Sequence, residues 1–327
     1  MHLEGSIRPG TLLQLARRRR VELPADDEEG LRRWFRFRDF EHFVEIYLTC
    51  CRCLRDPEDF QLVMDQFLAE QARQNILYSE VHFTIGTHLE NGVNAVEVAE
   101  ALFESMQEGE SRHGVRSRLI PDIVRDVGPQ RADQTLEWAL AGRGRGVVAL
   151  GLSGFESEPD EPYREHFHVA QQEGLNRVAH AGEHAGPETI RSALEVCKAQ
   201  RIGHGIRAVD DPELVRELVD HGIPLEVCPT SNIRLGAVAE TSSHPFHPLQ
   251  QAGVVVTVNS DDPPQFETTL NDEYLSLARA FGYSAADLTA FSRNALRHVF
   301  LEDGERQVLA DEFEGRLAEA AALVEDQ

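Results

Sequence analysis

The sequence predicts a single (β/α)8 barrel over residues 1–327, and three observations carry that prediction. Short β-branched runs alternate with amphipathic helical stretches from residue 76 onward. Several runs are apolar on both faces, as parallel strands covered on both sides must be. No Pro-, Gly- or Ser-rich linker interrupts the alternation, so it belongs to one unit. The strands, in order, are the end of one in HLEGS (2–6), then ILYSEVHFTI (76–85), RLIPDIV (118–124), GVVALGLSGF (146–155), RVAHAGE (177–183), RIGHGI (201–206), IPLEVCPTSN (223–232) and VVVTVNSDD (254–262), eight in all.

Between the first two strands lies an insertion, residues 11–74, holding more than one helix. It includes RRWFRFRDFEHFVEIYL (32–48), where Phe37, Phe40, Phe43, Val44 and Tyr47 recur at helical spacing. Most of that stripe is expected in the core, but an insertion after strand 1 lies over the C-terminal mouth of a barrel and can cover a ligand. Farther along, Pro187 and Glu188 start a helix whose Ile190, Ala193, Leu194 and Cys197 repeat at three and four. After 206, Asp210 or Asp211 offers an N-cap and Pro212 suits the first turn. Leu214, Val215, Leu218 and Val219 form one apolar face, and Gly222 ends the helix. The tail, 284–325, reads as helical, with Ser284 as a cap and Gly304 as a break.

The formal charge is −24, from 32 basic against 56 acidic residues, so nucleic acid and anionic membrane surfaces are repelled and excluded as partners. A small neutral or cationic partner is easier to accommodate. No run of about 18 apolar residues and no signal-peptide pattern occurs, which places the protein in the cytoplasm. The basic run at 17–20 reads as a solvated helix end rather than a phosphate site. The five cysteines read as reduced thiols, and the cluster TCCRC (49–53) as buried helix residues, since no second Cys/His pair stands at zinc spacing.

In such a barrel, polar residues that interrupt a strand at its C-terminal end are the catalytic candidates. The filter selects His2, Gly154 and Glu156, His180 and Glu183, His204, Ser231 and Asn232, and Asp261 with Asp262. Singly, each has a structural explanation; an Asp-Asp-Pro-Pro run, for example, also makes a turn that caps a helix. Their convergence at one end of consecutive strands is what points to chemistry. Imidazole and carboxylate ligands in an open site suit a catalytic Zn²⁺, which lowers the pKa of its water to about 7.

Six motifs in order, HLEGS (2–6), SGFE (153–156), HAGE (180–183), GHG (203–205), CPTSN (228–232) and NSDDP (259–263), resemble the adenosine deaminase family of metal-dependent barrel hydrolases over almost the whole chain. The resemblance implies hydrolytic deamination at C6 of a 6-aminopurine nucleoside. It implies that His2, His180 and Asp261 ligate Zn²⁺, that Glu183 protonates N1, and that His204 orients the attacking hydroxide and balances its charge. It further implies that Asp262 accepts a hydrogen bond at N7, that the Gly154 amide reaches N3, and that Glu4 faces the sugar. For Glu183 the resemblance requires a carboxyl that begins protonated or exchanges its proton with the bound water.

The family signature is His-x-His-Leu-(Asp/Glu)-Gly with both histidines on the metal, and here Met1 holds the x position. The expectation is that the start is set too late, leaving strand 1 truncated and the site one ligand short; the alternative is a divergent start with the Met1 amine or a water in the gap. Loss of one of four ligands weakens metal binding by orders of magnitude. As to substrate, Phe155 and Ser260 depart from the usual adenosine pattern, while the stretch NSDDPPQFETTLNDEY (259–274) and the aromatic RWFRFRDF (33–40) resemble the branch acting on aminodeoxyfutalosine, a menaquinone precursor, in preference to adenosine. Phe and Arg at the mouth suit its benzoate. The alternatives are an adenine or N6-substituted adenine deaminase, or a non-catalytic nucleoside-binding barrel. A binuclear amidohydrolase needs a carboxylated lysine on the fourth strand, where Lys198 does not lie, and a cytidine-deaminase zinc site needs P-C-x-x-C, which is absent.

Overall fold

The computed structural model describes residues 1–325, with side chains through 322. Seven parallel strands form one sheet in sequence order: β1 (Tyr78–Phe83), β2 (Arg116–Val124), β3 (Ala149–Ser153), β4 (Asn176–Ala181), β5 (Arg201–His204), β6 (Leu225–Val227) and β7 (Val256–Val258). Helices separate consecutive strands, so each crossover returns on the outside of a curled sheet. Burial on both faces explains the apolar runs: all five residues of β3, ALGLS, are buried.

Except for β2, which starts two residues before its run, the strands are shorter than their sequence runs, and the polar residues at their ends leave the ladder. CPTSN does not end a strand; Pro229 opens the helix Pro229–Arg234, from which Ser231 and Asn232 face the mouth. The first expected strand is reduced to one residue, His2, bridged to His82, and Glu4–Ser6 is a 3-10 turn. Around that bridge, His82 N donates to Met1 O (2.9 Å), Leu3 N donates to His82 O (2.9 Å) and His2 N donates to Asp261 O (3.3 Å). Residues 1–3 thus join β1 to the end of β7 at the mouth. Below them, the two edges are separated by a cavity of about 420 Å³ lined in part by Tyr78, Glu80, Thr257 and Val258. Inside the sheet at its opposite end, Arg201 reaches Glu80 (2.5 Å) and Glu226 (2.8 Å) and lies 3.7 Å from the Phe300 ring centre, tying β5 to β1 and β6.

The insertion folds as four helices, α1 (Pro9–Arg19), α2 (Glu28–Phe35), α3 (Phe40–Cys53) and α4 (Pro57–Arg73). The expected continuous stripe at 32–48 is therefore broken, because Asp39 accepts from His42 N (2.9 Å) and caps a new helix instead of continuing the old one. Cys50, Cys51 and Cys53 are buried free thiols of α3, as read from the sequence. The basic run ends α1, and three of its guanidiniums are engaged: Arg17 donates to Asp26 O (2.8 Å), and Arg18 and Arg19 both bond Asp59.

Asp211 caps Pro212–His221 by accepting from Glu213 N (2.9 Å) and Leu214 N (3.1 Å), and Gly222 ends it in the left-handed conformation. Val219, assigned to the apolar face, is 37% exposed; Leu214 and Leu218 form the buried face. Ser284 is the expected cap of Ala285–His298, and with Asp287 it forms a capping box. The break in the tail falls at 299–302 rather than at Gly304, since Phe300 is held under Arg201 and its amide donates to Glu80 (2.6 Å). Gly304 sits in the first turn of Asp303–Glu325, where it does not interrupt the helix. Ser284→Ala is expected to cost about 1 kcal/mol of stability, read as a lowered urea midpoint; an unchanged midpoint contradicts the capping role.

Candidate active site and metal centre

The mouth of the curled sheet gathers the residues that the sequence singles out. His180, on β4, donates from Nδ1 to Leu152 O (3.1 Å), which leaves the lone pair on Nε2. That Nε2 lies 3.2 Å from His2 Nε2, and His2 Nε2 lies 3.6 Å from Asp261 Oδ1. The other oxygen of Asp261 accepts from Ser231 Oγ (2.7 Å), so the carboxylate is fixed with Oδ1 toward the imidazoles. Asp261 and His204 both adopt left-handed backbone, φ 57° and 59°, a strained conformation that turns their side chains out of the strand direction and into the mouth.

His204 is oriented through a relay. Asn232 donates to His204 Nδ1 (3.1 Å) and accepts at Oδ1 from His244 Nε2 (3.2 Å). With Nδ1 facing the Asn232 amide, Nε2 of His204 points into the mouth, 3.6 Å from Glu183 Oε2 and 4.0 Å from Asp261 Oδ2. Glu183 is buried, yet its carboxyl is drawn down to about 2: burial opposes ionisation, and the His204 charge with the His184 hydrogen bond and charge outweighs it. Its Oε1 has no hydrogen-bond partner. Glu156, which passed the strand-end filter, serves another purpose. It accepts from the amides of Glu183 (2.9 Å), His184 (3.1 Å) and Ala185 (2.7 Å), and so positions the turn that carries Glu183.

Asp262 is buried with Oδ1 unpartnered, and burial together with the Asp261 charge pushes its carboxyl well up. Gly5 makes its place: a Cβ there would sit 1.5 Å from Asp262 Oδ1. Gly154 follows β3 at φ 90°, where a Cβ would meet the Arg125 amide nitrogen at 2.9 Å, so only glycine fits. Glu4 is fully buried, and its Oε1 accepts from Thr84 N (2.8 Å), Thr84 Oγ1 (2.6 Å) and His88 Nε2 (3.0 Å), while Oε2 is without a partner. Burial opposes its ionisation, but the His88 and Thr84 contacts hold the carboxyl below its ordinary value.

Two residues that sequence reasoning passed over stand in the same place. His82 of β1 is buried, with Nδ1 2.7 Å from Asp122 Oδ1; Asp122, on β2, also lies 3.7 Å from His2 Nδ1 through Oδ2. Burial and the Glu4 charge push the Asp122 carboxyl well up. Burial also lowers the pKa of His2 and His180 well below the ordinary value, helped by the neighbouring imidazoles, so both are neutral at pH 7 and able to ligate. The donor set fits a zinc ion: two imidazole nitrogens 3.2 Å apart approach the ~3.3 Å edge of a tetrahedron with Zn–N of about 2.0–2.1 Å. Buried oxygens of Asp122, Asp262 and Glu183 with no partner surround them, an arrangement that a cation or polar ligand relieves.

Over the mouth, aromatic rings from the insertion meet rings from the strand ends. Phe43 stacks on Phe266 (centroids 5.3 Å apart, planes at 17°), and Phe40 packs edge-on against Phe155 (5.4 Å) and His184 (5.6 Å). Phe40 and Phe155 are exposed. Arg36 (2.9 Å) and Arg234 (3.7 Å) share the single carboxylate of Glu267, and Arg234 lies 5.5 Å from the Phe37 ring centre.

A parallel barrel-type sheet whose mouth holds imidazoles, carboxylates and a buried acid is the arrangement of a barrel hydrolase. The family model for adenosine deaminase matches residues 1–315, and the chain belongs to that family. It is 37% identical over 306 residues to an adenine deaminase of Streptomyces coelicolor, covering 93% of this chain and 90% of that protein. It is also 37% identical over 317 residues to an aminodeoxyfutalosine deaminase of Streptomyces avermitilis, covering 96% and 88%. The crystal structure of adenine deaminase from Arthrobacter aurescens superposes with a TM-score of 0.91 at 31% identity, over 97% of each chain. The protein is accordingly a hydrolytic aminohydrolase of the purine-deaminating type, not the non-catalytic binding barrel kept as an alternative in the sequence reading. Among the described residues no helix is long and apolar enough to cross a membrane.

Proposed function

We propose that this chain is a zinc-dependent cytoplasmic deaminase that replaces the C6 amino group of a 6-aminopurine nucleoside by oxygen, and that the nucleoside carries an aromatic carboxylate on its 5′ side, as aminodeoxyfutalosine does. The observation that carries the chemistry is the convergence of His2 Nε2, His180 Nε2 and Asp261 Oδ1 beside an unpartnered, buried Glu183. When bound there, zinc supplies Lewis acidity that makes water a nucleophile near neutral pH.

The rest falls to side chains. Water adds at C6, the C6–N6 bond breaks, and ammonia leaves from a 6-oxopurine. Glu183 starts ionised, so the proton it gives to N1 first comes from the water, and it can return a proton to the leaving nitrogen. His204 presents Nε2–H to the water oxygen while Asn232 holds its ring. N7 of a neutral purine has a lone pair and no proton, so Asp262 has to donate there rather than accept, and its burial favours the protonated form. Gly154 leaves room for N3 at its amide, and Glu4, its Oε1 already committed, meets the sugar with Oε2. Gly5→Ala forces Asp262 aside and is expected to cut kcat/KM at least about tenfold with zinc content unchanged; an unaltered kcat/KM contradicts the placement of Asp262.

The exposed rings of Phe40 and Phe155 support the aromatic 5′ substituent, and two guanidiniums sharing one carboxylate leave positive charge for its carboxylate. A second reading, free adenine as substrate, is favoured by the equal identity to the Streptomyces coelicolor relative. Ammonia release by the zinc-loaded chain from aminodeoxyfutalosine, adenosine and adenine separates them. The expected result is the highest kcat/KM on aminodeoxyfutalosine, by about 10–100-fold over adenosine. Preference for adenine overturns the aryl-carboxylate assignment and supports the second reading.

A further inference from the structure

The zinc reading leaves one imidazole of the mouth without a task. His82 enters from β1, the strand that residues 1–3 bridge, and its backbone is paired with that of His2. The ring centres of His2, His82 and His180 form a nearly equilateral triangle, with sides of 5.1, 5.1 and 5.0 Å. A metal about 2.0–2.1 Å from each nitrogen lies about 3.2 Å from each ring centre, so tetrahedrally placed imidazoles have centres about 5.2 Å apart. The observed triangle matches that spacing on all three sides.

The orientation of His82 agrees. Asp122 holds Nδ1 at 2.7 Å, the carboxylate–histidine pairing that directs Nε2 of a metal-bound imidazole toward the ion, and a cation at Nε2 keeps the shared hydrogen on nitrogen. No other side-chain hydrogen bond of His82 occurs among the described residues, and the residue lines the cavity behind the mouth together with His180, His204 and Asp261. His82, Asp122 and His180 place ligand atoms within 4.8 Å of one another. A buried imidazole on the inner face of a strand whose neighbours Val81 and Phe83 are fully buried has no packing reason to be polar.

We propose that His82 is a metal ligand of this chain, completing with His2, His180 and Asp261 a set of three imidazoles and one carboxylate, with Asp122 as the residue that positions it. The proposal rests on the zinc reading of the same site. It accounts for a metal centre to which the motifs named in the sequence bring only His2 and His180 as imidazole ligands, His204 being assigned to the water, and it gives β1 a direct part in that centre.

The test is a count of metal-bound imidazoles in the full chain, labelled with ¹⁵N-histidine and loaded with ¹¹³Cd as the probe. The expected result is three Nε2 resonances split by the metal, of which one disappears in His82→Gln while the other two persist. Cobalt loading gives a second readout: the visible absorption band of the Co²⁺ form is expected to shift in His82→Gln, and zinc affinity, measured by chelator competition, to fall at least about 100-fold. Two split resonances in the unaltered chain, both retained in the variant, overturn the proposal and leave the zinc reading standing. No retained cadmium, cobalt or zinc in the unaltered chain overturns the zinc reading, and the proposal with it. Because the count is made first on the unaltered chain, a count of two overturns the proposal even if the variant does not fold, and His82→Gln assigns the third resonance to His82 and not to His204.

Discussion

Glu183→Gln is expected to lower kcat for purine deamination by about 10²–10⁴-fold while zinc content stays the same. The amide keeps the size of the side chain and can still meet His204, but it cannot take a proton from water and hand it to N1. The environment supports that role: Glu183 Oε2 is 3.6 Å from His204 Nε2 and 3.4 Å from His184 Nδ1, and Oε1 is buried with no partner to compete for the proton. Its backbone is fixed by Glu156, so the substitution leaves the turn intact. Steady-state rates alongside metal analysis check the outcome. A variant with full zinc and a kcat within a factor of about three contradicts the proton-carrier role.

His180→Ala is expected to abolish stoichiometric zinc at micromolar concentrations and, with it, activity. His180 has its tautomer set by Leu152 O and stands 3.2 Å from the other imidazole nitrogen, so its loss opens the centre of the ligand set rather than its edge. The readout is the gain in stability on adding zinc: a ligand at 100 times its dissociation constant stabilises by about 2.7 kcal/mol. That gain is expected in the unaltered chain and not in the variant, whatever the starting stability of the variant. An equal zinc-dependent shift in both contradicts the ligand assignment.

The order of the fold was legible because each strand carries its own boundary chemistry. HAGE, GHG and NSDDP are places where an apolar run stops at residues that do not pack, and the structure collects His180, His204 and Asp261 from those three ends. What the sequence does not display is backbone that abandons the strand conformation early. The left-handed φ of His204 ends β5 short of its run, and β7 already stops at Val258, ahead of the left-handed Asp261. The break in the insertion was hidden for the opposite reason: aromatic residues continue the helical spacing across 36–39, and only the Asp39 side chain, by capping at His42 N, interrupts it.

His82 and Asp122 were missed because each sits inside a run that reads well as a strand. Their signal is alternation. In SEVHF, Glu80 and His82 share one face while Val81 and Phe83 occupy the other, which puts both polar residues on the inner side of the curled sheet. In LIPDIV (119–124), Asp122 is a carboxylate in an otherwise apolar stretch, fully buried in the structure, and such a residue requires a partner. Gly5 and Gly154 were legible only as motif letters; that Gly5 makes room for Asp262 depends on a contact across more than 250 positions of sequence.

Hydrolytic replacement of the amino group at C6 is decided by turnover in H₂¹⁸O with one equivalent of zinc per chain. Each ammonia released is expected to be matched by one 6-oxopurine carrying a single ¹⁸O at C6, and chelation of the zinc is expected to stop both together. Ammonia released without label at C6, or labelled product formed at the same rate after the zinc is removed, would contradict it.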